Sequence, residues 1–219
     1  MDKNLSNFLK KYKESYKEQL LRYEFKVLDN KNAILINENS EKLEYANIND
    51  NPLVIEPKTI EKIKTKHQLN LEFLIKLDEL IDNSVFAFDS IQHDTSKIFV
   101  LNEKNNNNQI IFIVRENKQE KHILVNEVTS VYDKEKLQNL INITCNQGKN
   151  VYINPEKEIE FLSLNFSVPL NRIYNIDEIS YETEREIYDK YNLTQEEKEK
   201  INTLNKWKSK SIDDNEWER

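Results

Sequence analysis

The sequence predicts an α+β fold: two helices packed on an antiparallel four-stranded meander, with helical extensions at both ends. Three observations predict it. Apolar residues recur at helical spacing between Pro57 and Ile81, in two segments separated by Gln68-Leu69-Asn70. Four runs rich in Ile, Val and Phe follow, at 85–89, 97–101, 109–115 and 121–127. The connections between those runs leave no room for crossover helices, so neighbouring runs must pair antiparallel.

Each element has its own justification. In residues 4–28, Leu5, Phe8, Leu9, Tyr12, Tyr16, Leu20 and Tyr23 recur at helical intervals with Lys and Glu between them, the pattern of an amphipathic packing helix. Residues 33–37 read as a short strand and 37–51 as a polar linker. Pro57 suits the first turn of a helix, and Ile60, Ile63 and His67 share one of its faces. Asn70 can cap the second helix. Its apolar face is Phe73, Leu74, Leu77, Leu80 and Ile81, and Asp82-Asn83 ends it. Residues 105–108 read as a loop tip and 116–119 as a turn. Asp133 stands where it can cap a helix carrying Leu137, Leu140, Ile141 and Ile143. Gly148 follows, where a helix end favours a left-handed residue. Residues 151–153 read as a last strand, 155–164 as a helix, 170–177 as irregular, and 180–190 and 194–209 as charged helices. Thr194 and Glu197 have capping-box spacing. This divides the chain into an N-terminal helix and linker (1–50), an α+β domain (51–154) and a charged helical extension (155–219).

Composition removes many functions. The 219 residues include 9 Phe, 10 Tyr and 2 Trp, enough aromatic bulk for a core although 32% of residues are charged. A single glycine excludes the GxGxxG dinucleotide loop, the GxxxxGK[ST] phosphate loop and the GxSxG nucleophile elbow. A single cysteine, Cys145, excludes an internal disulfide and a cysteine-based zinc site. His67, His93 and His122 lack metal-ligand spacing, so no metal or other cofactor is expected. Nothing N-terminal reads as a signal peptide and no stretch has the length of a membrane span, so no membrane partner is expected. Net charge is −7, which counts against a nucleic-acid binder. Residues 51–150, however, hold twelve Lys and one Arg against fourteen Asp and Glu, so the acid lies mainly in the flanks.

Several short motifs stand in series. Ile60-Glu61-Lys62-Ile63-Lys64-Thr65-Lys66-His67-Gln68-Leu69 precedes Leu74 and Leu77. Val85-Phe86-Ala87-Phe88-Asp89-Ser90, Ile98-Phe99-Val100-Leu101-Asn102-Glu103 and the run 110–114 come next. Val125-Asn126-Glu127-Val128-Thr129-Ser130-Val131-Tyr132-Asp133-Lys134 closes the series. Over roughly residues 52–153 the chain resembles the C-terminal domain of phage MuF-type proteins. That domain is assigned to the barnase/EndoU/colicin/RelE-like (BECR) nuclease superfamily of toxin RNases. Three positions depart from the pattern: Gln68 and Asp133 replace glycines, and Ser84 replaces a proline.

The resemblance implies a metal-independent endoribonuclease of a phage or mobile element. In such enzymes the ribose 2′-OH attacks phosphorus and gives a 2′,3′-cyclic phosphate. The implied partner is RNA, with tRNA one candidate, and the implied location is the host bacterial cytoplasm or a delivered particle. The acidic extensions would meet an inhibitor or a delivery partner. That chemistry needs a proton acceptor, a proton donor and cations for the phosphorane. His67 titrates near neutrality and is the candidate for proton transfer; the bland reading is a structural histidine on the Ile60/Ile63 face. Arg115 ends an apolar strand and can brace a phosphorane, or serve as an edge arginine. Ser130 and Tyr132 complete the catalytic candidates. Lys62, Lys66, Ser90 and Asn126 are the substrate-binding candidates. Turn capping, core packing or solvation are the alternatives for these six. Glu127 is either a general base or a paired carboxylate. Two other readings stay open: an inactive binding module of the same fold, and an acidic partner or immunity protein.

Overall fold

The computed structural model describes residues 3–12, 14–24, 32–169 and 172–174. Runs of β-branched and aromatic residues in mid-chain form β3 (Phe86–Asp89), β4 (Ser96–Asn105), β5 (Asn108–Glu120) and β6 (Ile123–Lys134), antiparallel in chain order. They are the centre of a larger sheet. β1 (Ile34–Asn37) pairs antiparallel with β2 (Leu53–Ile55), and β2 pairs parallel with β6. At the other edge β7 (Val151–Ile153) pairs antiparallel with β3, and β8 (Ile173–Tyr174) pairs parallel with β7. The order is β1-β2-β6-β5-β4-β3-β7-β8.

The fold is therefore α+β around an eight-stranded mixed sheet. The four-stranded antiparallel meander with two N-terminal helices is corrected. Of the four added strands, β1 and β7 fall where short strands were read, at 33–37 and 151–153, whereas β2 and β8 span three and two residues, too short to show alternation. Their pairing is also long-range: Leu53 meets Asn126.

Helices are broken more often than periodicity suggests. The first stripe is two helices, α1 (Lys3–Leu9) and α2 (Tyr16–Glu24). The Ser15 N–H and hydroxyl both donate to Glu18 Oε2 at 2.9 Å, a reciprocal cap that starts α2. Three helices follow β2: α3 (Pro57–Lys66), α4 (Leu71–Ile75) and α5 (Leu77–Asp82). Asn70 Oδ1 does accept the Phe73 N–H at 2.8 Å. The polar linker contains a 3-10 turn, Glu41–Ala46. Asp133 lies inside β6, and Lys136, left-handed at φ 53°, precedes α6 (Leu137–Asn146). Gly148 takes φ +79° and its N–H reaches the Cys145 carbonyl at 3.0 Å. The expected turn at 116–119 is a bulge within β5, with Asn117 at φ 52°. In a chain with one glycine, asparagine takes most left-handed positions: Asn47, Asn106, Asn107, Asn117 and Asn165. Ile173–Tyr174 is strand where irregular structure was expected. The helices expected over 180–190 and 194–209 lie outside the described residues.

The sheet is covered on both faces. Leu20 of α2, Ile60 and Ile63 of α3, Leu74 of α4, and Leu77 and Ile81 of α5 pack with Ile55, Phe99, Phe112, Val128 and Val131. Phe99 and Phe112 face each other in register, their rings stacked at 4.8 Å. On the opposite face, Leu137 and Ile141 of α6 and Phe161 of α7 (Glu158–Ser163) cover Phe86, Phe88, Val100 and Ile111. Phe8 of α1 covers Leu35, Val54 and Val125. Among the described residues no helix is long and apolar enough to cross a membrane.

A polar clamp joins β3, β4 and β7 beside the first core. The buried Lys97 ammonium donates to Asp89 Oδ1 at 2.8 Å and to the Tyr152 hydroxyl at 3.1 Å. Tyr152 donates to the same carboxylate at 3.1 Å, and the Asn150 N–H reaches its other oxygen at 2.9 Å. Glu116 lies 3.9 Å from the ammonium. Burial opposes both charges of the pair. The hydrogen bonds outweigh it, raising the Lys97 pKa and lowering that of Asp89.

Candidate functional site

The site begins where β2 runs out. β2 stops at Ile55, level with Val128 of β6, and α3 continues beside the rest of β6. Pro57 opens the helix, and Thr59, Ile60 and Ile63 are its buried face. On the side toward α2, Lys64 pairs with Glu24 at 2.7 Å and Glu61 accepts the Tyr23 hydroxyl at 2.8 Å. Lys58, Lys62 and Lys66 recur every fourth residue and share another face.

α3 ends in a left-handed exit. Gln68 has φ 56°, and the Leu69 N–H reaches back to the Ile63 carbonyl at 3.4 Å. This bond reaches six residues back, and the His67 N–H reaches the Lys62 carbonyl five residues back at 3.3 Å, so the last turn is widened, with Leu69 packing in the same core cluster as Ile63. The turn carries His67 off the helix. Its ring stacks on Tyr132 of β6, with centroids 5.0 Å apart and planes 24° apart. His67 is therefore not a core residue on the Ile60/Ile63 face.

Burial, followed by the charges of Lys62 and Lys66, pushes the His67 pKa below its ordinary value, and Asp133 opposes this weakly. Nε2 is buried and has no hydrogen-bond partner among the described residues. Burial and the two lysines disfavour the second proton, so the ring is held neutral; with its one proton on Nε2, Nδ1 keeps the lone pair that can accept another. Burial also raises the Tyr132 pKa. Lys62 and Lys66 form no ion pair among the described residues.

The other candidates fall in two groups. Ser130 lies two residues before Tyr132 and shares its sheet face, roughly 7 Å back along the strand. Arg115 is on the same face of β5, opposite Glu127. That position is five residues from Tyr132, roughly 15 Å. Along the strand this sets Arg115 apart from the His67–Tyr132 stack. The Arg115 guanidinium is about half exposed and stands 3.7 Å from Glu127. Glu127 is buried and receives Lys118 at 2.9 Å. Lys118 also binds Glu56, which binds Lys58. Burial pushes the Glu56 carboxyl up, but hydrogen bonds led by those from Lys118 and Lys58 prevail and hold it at about 2.

Ser90 and Asn126 do not line this surface. Ser90 is buried beyond β3, its hydroxyl accepting the N–H groups of Gln92 and His93. Asn126 is fully buried. Its amide donates to Ser40 Oγ at 3.0 Å and the Asn49 carbonyl at 2.8 Å, and accepts the Asn117 N–H at 3.2 Å. Both hold loops in place. Glu56, Lys58 and Lys118 were missed as parts of the surface. The four-residue spacing of Lys58, Lys62 and Lys66 was legible, whereas the Lys118–Glu127 pairing depends on hairpin register. Among the described residues no group of three or more His, Cys, Asp and Glu side chains could hold a metal ion.

Residues 58–160 match the family model of the phage MuF C-terminal domain. The matched stretch runs from α3 into α7 and contains the His67–Tyr132 stack, while β1, β2 and β8 lie outside it. Searches of curated proteins and of solved structures give no match.

Proposed function

We propose that residues 58–160, similar to the phage MuF C-terminal domain, act as an endoribonuclease-like toxin or effector domain of a phage or mobile element. One observation carries the reading: a neutral imidazole is stacked on Tyr132 beside two lysines that form no ion pair among the described residues. In this reading Nδ1 of His67 takes the 2′-OH proton as the 2′-oxygen attacks phosphorus. The P–O5′ bond breaks, leaving a 2′,3′-cyclic phosphate, and the imidazolium returns the proton to the departing 5′-oxygen. Lys62 and Lys66 offset the charge on the phosphorane. Tyr132 orients the ring, and Ser130, on the same face, is buried beneath it. No metal takes part.

The test is incubation of the full chain with an RNA pool containing tRNA, in EDTA, beside His67→Ala. Fragments ending in cyclic phosphate, lost in a folded His67→Ala variant, support the reading. No cleavage by either protein, with both folded by circular dichroism, supports the second reading, a non-catalytic module that keeps the fold for binding. The observation favouring that reading is the pairing of Arg115 with Glu127, far from His67.

A further inference from the structure

We infer that the β1 edge of the sheet is a self-pairing surface for a second copy of this chain, and that Gln19 and Tyr12 of the N-terminal segment hold it shut. This does not depend on the RNA reading. β1 ends the strand order on its side of the sheet, and its strand partner is β2. In an antiparallel ladder every second residue directs both backbone groups away from its neighbour. Leu35 is that residue in β1. Its N–H donates to Gln19 Oε1 at 3.1 Å, and its carbonyl accepts from Gln19 Nε2 at 3.3 Å. One carboxamide thus meets both groups as the peptide of a further strand would. Two residues back, the Ala33 carbonyl accepts the Tyr12 hydroxyl at 3.1 Å.

The amide is held in place for this contact. Gln19 is buried, and its Nε2 also donates to the Glu14 carbonyl at 2.9 Å. The helix that carries it is anchored at other points. The Tyr16 hydroxyl donates to the Leu74 carbonyl at 2.8 Å, the Tyr23 hydroxyl donates to Glu61 at 2.8 Å, and Leu20 is fully buried.

The edge needs this guard because its own sequence supplies little defence. Natural edge strands are protected by charged residues, proline, bulges or a covering element. Ala33-Ile34-Leu35-Ile36 is wholly apolar, without a charge or a proline, and a register shift disturbs only its far end, between Leu35 and Asn37. Such a segment pairs readily with its own kind. The partner that fits is another β1. With Leu35 opposite its counterpart in an antiparallel pair, each N–H donates to the other's carbonyl and both bonds to Gln19 are replaced. The contact is self-complementary under two-fold symmetry. α2 must swing aside to admit it, so the guard and the second copy exclude each other.

The test is sedimentation velocity of the full chain across a concentration series, with hydrogen exchange at the Leu35 amide read on the same samples. The wild type should keep the mass of one chain, with its Leu35 amide exchanging at least about ten-fold more slowly than an unprotected peptide. Gln19→Ala/Tyr12→Phe keeps the helices and removes the three edge bonds, leaving buried backbone groups that a second strand can satisfy. Its mass should rise with concentration toward twice that of one chain, and protection of the Leu35 amide should rise with it. A folded variant that keeps the mass of one chain at every concentration overturns the inference. So does a dimer whose Leu35 amide exchanges freely, since association then lies elsewhere. An unprotected Leu35 amide in the wild type overturns it whether or not the variant folds.

Discussion

Replacing Lys97 with methionine tests how firmly the polar clamp holds β7 to the rest of the sheet. Methionine keeps much of the stem's length and removes the ammonium. The Lys97 side chain is 9% exposed and that of Asp89 20% exposed, so the pair is largely desolvated. Breaking a buried pair by deleting one partner costs about 3–5 kcal/mol. Asp89 keeps its bonds from Asn150 and Tyr152, which places the loss at the low end, about 3 kcal/mol. For a chain of this size that corresponds to a fall in Tm of roughly 6–12 °C. Urea unfolding at 25 °C and calorimetry give the number directly. Asp89→Asn in the same background should recover part of the loss, with a coupling of at least about 1 kcal/mol. A loss below about 1 kcal/mol, or no coupling, would show that water already screens the pair and that the clamp does not hold the strand. The pH dependence has a definite sign. The Lys97 pKa is raised, so its contribution is full below 10.5 and is lost as pH rises through the folded value. The Asp89 pKa is lowered, so its contribution is present above 3.8 and is lost as pH falls through the folded value.

Three further outcomes are expected. The His67 pKa is lowered, so its NMR titration midpoint should fall below 6.5, and stability linked to this ring should decline as pH falls through that range; a midpoint above 6.5 would contradict the buried Nε2. Gln68 is left-handed, so Gln68→Val should destabilise by about 1–2 kcal/mol in urea unfolding while Gln68→Gly is neutral or slightly favourable; a tolerated valine would refute the left-handed exit. Asn126→Ala should cost about 2–3 kcal/mol by leaving the Asn117 N–H and the Asn49 carbonyl without partners, and nucleic-acid binding by the folded fraction should not change; loss of binding without loss of stability would return Asn126 to the site.

The Ile-, Val- and Phe-rich runs of β3 to β6, the proline that opens α3, the Asn70 cap and the apolar faces of α3 to α6 are local signals. They depend on neighbours three or four residues away and are legible in the chain. The motifs also singled out His67 and Tyr132, whose rings the fold stacks together. Tertiary structure decided what depends on partners distant in sequence. Three-residue β2 could be recognised only by its pairing with β6. The β5 bulge at Asn117 sets the register that puts Arg115 opposite Glu127, and so away from His67. Ser90 and Asn126 sit in motifs as suggestive as that of Ser130, yet Asn126 is turned into the Ser40 and Asn49 loop and Ser90 into its own turn. Local pattern states which face of an element is apolar. Which polar group is left over for a ligand depends on which partners the rest of the fold has already supplied.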